Sequence, residues 1–264
     1  MNDDSESSAA YSGTISGKAL ERDFGTGIAR SFVSALSQSP DRSVPDYERL
    51  LVGDVILVKT PPGPIEGGLF GSSVVEFQQK RVDRFRESPA ATWAHAMLYV
   101  GRLHVAECKT LFLDNGRIKS GIKISPLVRT SRNTEYVVCR HKGWKTIEGF
   151  DGYRRNAALY AMVDHAVSRR VYDFKRIAAL YFDGKVPLLP SAVVRRMFKS
   201  NFDRAVICSE FVLECLAIGG QMLTEDWLRL EERAGRQQYF YPADFYTHPS
   251  LEQHPMQFLA YEPS

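Results

Sequence analysis

Long apolar runs are missing from this sequence of 264 residues. No window reaches the ~18 uninterrupted apolar residues that a transmembrane helix needs. The opening stretch "MNDDSESSAAYSGTISGKALERDFG" is acidic and rich in serine, and it lacks the apolar segment of a secretory signal. We therefore expect a protein that is cytoplasmic as synthesised, with export by a dedicated secretion system left open.

A large excess of charge is missing as well. Lys and Arg together number 34 against 31 Asp and Glu, which leaves a net charge of +3. Short basic stretches such as "RVDRFR" are interrupted by apolar residues, a pattern typical of solvated helix faces. Nucleic acid is therefore not an expected partner.

Cysteine is scarce, and none of the four cysteines belongs to a C-x-x-C pair. In a chain of this length, so few thiols indicate neither a disulfide framework nor a structural zinc site. We therefore expect reduced thiols and no bound metal.

Strand-like and helix-like patterns occupy different parts of the chain. Short apolar and alternating runs lie within residues 50–140, whereas apolar residues at helical spacing follow from about residue 150. This order predicts an α+β domain with an antiparallel sheet. The polar residues 1–44 are expected to be a flexible or loosely docked extension with a short helix near 27–38, and residues 45–264 to form the domain.

A cysteine begins the predicted helix in "RAVICSEFVLECLAIGG", and this residue is Cys208. The unpaired N–H groups and positive dipole at a helix N-terminus lower a thiol pKa from ~8.5 toward ~3.5–7.5, particularly beside a histidine. Cys208 is therefore a candidate nucleophile, and its own N–H is a candidate oxyanion donor. Cys215, two turns further along, is expected to be an inert core thiol. Packing is the structural alternative for Cys208.

His95 is the candidate base, because it lies at the entry of the apolar strand "HAMLYVG", where an ionisable ring is costly without a partner. Glu107 follows in the second strand of the same predicted hairpin. A turn of two residues at 101–102 would set Cys108 opposite His95. A loop of three residues at 100–102 would instead set Glu107 opposite it.

The second register favours a Cys–His–Glu triad. In this triad Cys208 is the nucleophile, His95 acts as base and then acid, and Glu107 holds the imidazole tautomer and stabilises its charged form. The structural alternatives are a core histidine and an edge-strand carboxylate. Trp93 and Tyr99, close to His95 in the sequence, are candidates for substrate binding, although aromatic residues beside a sheet also serve as core.

Five motifs in order resemble a known family over residues 46–250. They are "LLVGDVILV", "WAHAMLYVG…HVAEC", "VYDF", "CSEFV" and "YPADFY". The pattern resembles the permuted papain-like cysteine hydrolases of the NlpC superfamily, in particular the YiiX-like branch and its lecithin retinol acyltransferase-like relatives. The resemblance implies a circularly permuted papain-like fold, in which the antiparallel sheet precedes the helix that carries the nucleophile and packs against it.

The resemblance also implies roles for individual residues. Cys208 matches the family's nucleophile, His95 its strand histidine and Glu107 its third polar residue. Asp54 matches a recurring position, which we interpret as a turn-stabilising acid rather than a catalytic one. The Gly/Pro-rich stretch 59–73 is a candidate for a loop over the site, and its action as a lid is left open.

Three functions are consistent with these residues. The first is hydrolysis of an amide in a peptide, an isopeptide or a cell-wall crosslink through an acyl-Cys208 intermediate, in a housekeeping enzyme or a delivered effector. The second is the same thiol chemistry on lipids, as an acyltransferase, thioesterase or phospholipase, with the apolar and then basic stretch 178–198 lining a groove or touching a membrane surface. The third is an inactive binding module.

The presence of all three triad residues disfavours the inactive module, since a degenerate relative would often lack one of them. The expected partner is a peptide-like or acyl-bearing substrate, and the sequence does not identify a protein partner. Thiol chemistry of this kind needs no metal and no organic cofactor.

Overall fold

The centre of the fold is a six-stranded antiparallel sheet. It is seen in a computed structural model that describes residues 13–37, 42–59, 74–75, 78–79, 85–114, 117–129, 134–167, 170–172, 205–220 and 240–263. Helices pack against this sheet, so the α+β class and the antiparallel sheet predicted from the sequence are confirmed.

The described elements are numbered along the chain. The strands are β1 (Thr14–Ser16), β2 (Ser43–Pro45), β3 (Val55–Lys59), β4 (Trp93–Gly101), β5 (His104–Asp114), β6 (Arg117–Pro126), β7 (Tyr136–His141), β8 (Val171–Tyr172), β9 (Ala205–Val206), β10 (Leu251–Pro255) and β11 (Phe258–Glu262). The helices are α1 (Gly17–Phe24), α2 (Thr26–Leu36), α3 (Phe150–Val167), α4 (Cys208–Ile218) and α5 (Pro242–Thr247). The large sheet has the strand order β10-β7-β3-β4-β5-β6.

The large sheet buries both of its faces, because apolar residues occupy consecutive positions of its central strands and successive side chains point to opposite sides. One face packs against α3 and α4 and forms the main core. The opposite face forms a second core with residues from the C-terminal segment. The first face includes Val55, Leu57, Ala96, Leu98 and Ala106, and the second includes Ile56, Met97, Tyr99 and Val105.

Asp54 stabilises the turn that leads into β3, as the sequence predicts. Its carboxylate accepts a hydrogen bond from the backbone N–H of Leu51 at 2.8 Å and pairs with the Arg140 guanidinium, with Nε at 2.8 Å and Nη2 at 2.6 Å. Gly53 has φ 89, and a Cβ there would lie 2.8 Å from the Arg154 Cβ. The turn therefore requires a residue without a side chain at this position.

Residues 13–37, part of the segment predicted to be a flexible or loosely docked extension, form two helices, and α2 lies where the sequence predicts a short helix near 27–38. Within residues 13–37, α1 and α2 form an amphipathic pair, and β1 pairs with β11. Leu20 and Phe32 are fully buried, in a cluster that also contains Leu103 of the turn between β4 and β5. The apolar residues of the two helices are spaced to cover this turn, which a composition-based argument does not detect.

None of the helices in the described part of the chain combines the length and the apolar character needed to cross a membrane. Most of the loop 59–73 and the whole of the stretch 178–198 lie outside the described residues. So do residues 1–12 and 38–41 of the N-terminal segment.

Candidate active site

Cys208 is the first residue of α4, as the sequence predicts. The short strand β9 pairs in parallel with β8 and ends two residues before it, and the extended residue Ile207 caps the helix without a side-chain hydrogen bond. The N–H groups of the first helical turn therefore have no partner within the helix and lie close to the Cys208 thiol. Only 4% of this residue is exposed.

His95 and Glu107 form a hydrogen-bonded pair. The His95 Nε2 lies 2.9 Å from Glu107 Oε2, with 28% of the histidine side chain exposed and 3% of the glutamate. The other carboxylate oxygen, Oε1, accepts a hydrogen bond from Ser125 Oγ at 2.5 Å and lies 2.9 Å from Lys109 Nζ. Burial disfavours the charged carboxylate, but His95, Lys109 and Ser125 outweigh it and lower the pKa of Glu107 to about 2.

The register that produces this pair differs from both registers considered from the sequence. The turn has two residues, Arg102 with φ 50 and Leu103 with φ 59. A bulge in β4, between Tyr99 and Gly101, precedes the turn. Leu98 consequently pairs with Ala106. Continued along the strands, this register sets residue 109 opposite residue 95.

Glu107 is therefore a diagonal neighbour of His95 on the same side of the sheet rather than its direct partner. Diagonal side chains lie ~7–8 Å apart at Cα, which is within reach of a long glutamate. The prediction of a three-residue loop was wrong. The two side chains still meet, because the observed register differs from the expected one by an even number of residues. An even shift keeps both side chains on the same face of the sheet.

Cys208 lies where β4 and β5 diverge. The pairing of these two strands runs from the turn to Leu98 and Ala106. Two residues beyond this last pair, the backbone N–H of Ala96 makes a hydrogen bond with the Cys208 sulfur, and so does the N–H of Ser209. The β4–β5 pairing ends before Ala96, so the N–H of this residue is available to the thiol, and the second donor comes from the first turn of α4.

The Cys208 sulfur also makes a hydrogen bond with the His95 ring. Because Nε2 faces Glu107, the ring nitrogen that remains for the sulfur is Nδ1. Burial disfavours the thiolate, but the charge and hydrogen bond of His95 and the N–H groups of Ala96 and Ser209 outweigh it and lower the pKa of Cys208. Burial likewise disfavours the imidazolium, but the Cys208 thiolate and Glu107 raise the pKa of His95 to about 10. These two pKa shifts favour a Cys208 thiolate beside a His95 imidazolium.

The other three cysteines are different in kind. Burial raises the pKa of Cys108 and of Cys215, and it raises the pKa of Cys139 to about 12. All three are buried, and none of them forms a disulfide. Cys208 is thus the cysteine whose surroundings favour the thiolate.

The two aromatic candidates for substrate binding have different positions. Trp93 belongs to the same core cluster as Cys208, and its ring lies 5.4 Å from that of Tyr246. Tyr99 packs in the second core, on the opposite face of the sheet, where its hydroxyl accepts a hydrogen bond from the Leu103 N–H at 3.3 Å. Tyr99 is thus buried beside the β4–β5 turn, in a different core cluster from Cys208, and the structure does not bring it together with the Cys208 thiol.

Two partners of Glu107 were missed in the sequence. Lys109 lies two residues further along β5, so strand alternation alone could have placed it on the same side as Glu107. Ser125 comes from β6, where it pairs with Val105. No signal in the sequence specifies the register between β5 and β6.

In the described part of the chain, no group of three or more His, Cys, Asp or Glu side chains could hold a metal ion. No protein-family model matches the chain, and no curated protein matches its sequence. The geometry of the site therefore has to carry the functional argument.

Proposed function

We propose that this protein is a cysteine hydrolase that cleaves an amide through an acyl-Cys208 intermediate. The observation that carries the proposal is the continuous row of hydrogen bonds from the Cys208 sulfur to His95 and from His95 Nε2 to Glu107 Oε2, the latter at 2.9 Å. A nucleophile, a base and a group that orients the base are the parts that such chemistry requires.

The proposed reaction begins with the Cys208 thiolate attacking the carbonyl carbon of the substrate, which forms a tetrahedral oxyanion. The backbone N–H of Cys208, at the first position of α4, is suited to stabilise this oxyanion. The His95 imidazolium then gives its proton to the leaving amine as the carbon–nitrogen bond breaks. Neutral His95 takes a proton from the water that attacks the thioester, the carbon–sulfur bond breaks, and the acid product leaves the Cys208 thiolate beside the His95 imidazolium.

Glu107 has two roles in this proposal. It holds His95 with Nδ1 toward the sulfur, and its negative charge stabilises the imidazolium that accompanies the thiolate. A carboxylate buried to 3% exposure can serve this purpose because Ser125 and Lys109 complete its hydrogen bonding.

We also propose that the fold is circularly permuted and papain-like. The support is the chain order, in which the strands β3 to β7 precede the nucleophile helix α4 and the helix packs against β4 and β5. In the unpermuted arrangement the cysteine helix comes first.

The first test is iodoacetamide labelling against pH, read by peptide mass spectrometry on wild type and His95→Ala. We expect Cys208 to react well below the ordinary thiol pKa of ~8.5, with Cys215 in the same helix as a slow internal control. His95→Ala should move the Cys208 profile toward that of an ordinary thiol, because the cation that stabilises the thiolate is lost. If Cys208 labels no faster than Cys215, the hydrolase proposal fails and a binding module replaces it.

A substrate screen follows, with peptide and isopeptide amides beside lipid esters and thioesters. Burst release of the leaving group and a mass increase on Cys208 would identify the acyl-enzyme. Turnover of lipid esters without amide cleavage would replace the amide hydrolase by the lipid-directed enzyme, since the same three residues serve both reactions.

A further inference from the structure

A short segment, residues 240–243, lies between the strand that carries His95 and the helix that carries Cys208. It contains the residues that lead into α5, a helix with Pro242 at its start and Asp244 accepting from the Tyr241 N–H at 2.7 Å. Phe240 and Ala243 are 2% and 0% exposed. The segment is therefore fixed at its helical end and buried along its length.

Gln78 connects this segment to the residues just before β4 and to its first residue. Its side chain is fully buried, and both ends of its amide are used. The Nε2 group donates to the carbonyl oxygens of Ala91 and Trp93, each at 2.9 Å, and Oε1 accepts from the Ala243 N–H at 3.3 Å. The Trp93 carbonyl is two residues before His95, so the amide holds the start of the histidine strand against the segment.

Ser209 joins the same segment to the nucleophile helix. This residue follows Cys208 directly and is fully buried, and its hydroxyl donates to the Phe240 carbonyl at 2.5 Å. Its backbone N–H is also one of the donors to the Cys208 sulfur. A displacement of Ser209 would therefore move a donor to the thiolate as well as the helix start.

We propose that Gln78 and Ser209 are positioning residues, which clamp residues 240–243 between β4 and α4 and thereby set the separation of Cys208 and His95. Neither side chain touches the reacting atoms, and each acts through backbone groups. The β4–β5 ladder ends at Leu98 and Ala106, so the interstrand pairing does not restrain this end of β4 on the β5 side. This end of β4 is paired with β3, through Val58 with His95 and Lys59 with Trp93, and the hydrogen bonds of Gln78 add a restraint toward residues 240–243.

This inference rests on the proposed thiolate–imidazolium pair, and its test uses the labelling profile of Cys208 in four single variants of the full chain. Ser209→Ala and Gln78→Met remove the hydrogen bonds at similar volume. Ser209→Thr retains the hydroxyl. Ser43→Ala is the matched control, since Ser43 is also fully buried but belongs to β2, in the separate three-stranded sheet of order β1-β11-β2.

The acid limb of the profile is the pH range in which the labelling rate of Cys208 falls as the thiolate is protonated. In Ser209→Ala and Gln78→Met we expect this limb to move upward by about one pH unit, so that labelling at pH ~6 is about tenfold slower. Ser209→Thr should restore most of that rate, and Ser43→Ala should leave the limb in place. Each profile is recorded at an equal temperature interval below the melting point of the variant, so that lost stability alone does not change it.

Folded variants with lower melting points but an unmoved acid limb would overturn the inference and leave Gln78 and Ser209 as ordinary core residues. Should Gln78→Met fail to fold, the contrast between Ser209→Ala and Ser209→Thr decides. A wild type without reactivity below the ordinary thiol pKa would be a different failure, since it removes the proposed function and the positioning role together.

Discussion

The substitution Glu107→Gln tests the electrostatic part of the site. It keeps the size of the side chain but removes its negative charge. Because Ser125 and Lys109 both donate to the position of Oε1, the amide oxygen takes that position and the N–H₂ group faces His95 Nε2. The amide then donates to Nε2, which requires a neutral imidazole with its proton on Nδ1, toward Cys208. That tautomer donates a hydrogen bond to the sulfur but carries no positive charge to stabilise a thiolate.

The size of the effect follows from the burial of the pair. A hydrogen bond between charged groups contributes about 1.5–3 kcal/mol, which corresponds to about one to two pH units. The value applies here with little screening, because only 3% of the Glu107 side chain is exposed. In wild type the imidazolium is present below the His95 pKa of about 10 and is lost as the pH rises through it.

In Glu107→Gln we expect the pKa of His95 to fall and that of Cys208 to rise. The thiolate–imidazolium pair then exists over a narrower pH range, because the thiolate is protonated at a higher pH and the imidazolium loses its proton at a lower pH. The assay is the rate of iodoacetamide labelling at Cys208 against pH, with the acid limb expected about one to two units higher than in wild type. Glu214→Gln is the matched control. Glu214 is also a carboxylate paired with a cation, the Arg170 guanidinium, but it lies about two turns further along α4. Its acid limb should coincide with that of wild type.

A labelling curve of Glu107→Gln that superimposes on the wild-type curve would refute this reasoning. It would mean that the Glu107 charge has no influence on the thiolate. A shift of equal size in Glu214→Gln would also contradict it, because the effect would then follow from general loosening of α4.

Two further predictions concern stability. Asp54→Ala leaves the Arg140 guanidinium buried without its carboxylate, so we expect about 3–5 kcal/mol less stability in urea unfolding, and a loss under about 1 kcal/mol would contradict the structural role. Phe32→Ala removes a fully buried ring from the N-terminal cluster and should cost about 3–5 kcal/mol in the same assay, whereas Arg30→Ala on the exposed side of α2 should be nearly neutral. Equal stability of Phe32→Ala and wild type would contradict the packing role of Phe32 and support a flexible extension.

Local signals predicted the elements of the site better than their pairing. The β-branched run followed by a small residue predicted the start of a helix at Cys208, and the apolar alternation predicted strands on either side of Gly101. Both predictions depend on interactions within a few residues. The turn was misjudged because Leu103 adopts φ 59, a conformation that is unfavourable for this residue by itself.

The left-handed conformation at Leu103 is supported by long-range packing. The side chain is fully buried in the cluster that contains Leu20 and Phe32 from the N-terminal helices. Those helices are far from the hairpin in the sequence, and their composition indicated a flexible extension. The conformation of the turn and the packing of the N-terminal helices therefore depend on each other, and no local pattern specifies either.

The sequence by itself determined the α+β class, the hairpin, and the presence of one thiol at a helix start with one histidine and one acid in the preceding strands. Hydrophobic periodicity and helix-terminus electrostatics act over a few residues, so they can be read along the chain. Only the tertiary structure decided the diagonal pairing of His95 and Glu107, the contribution of Ser125, and the divergence of β4 and β5 at Cys208. Register, strand divergence and buried hydrogen bonds depend on groups brought together by folding, and no local pattern specifies them.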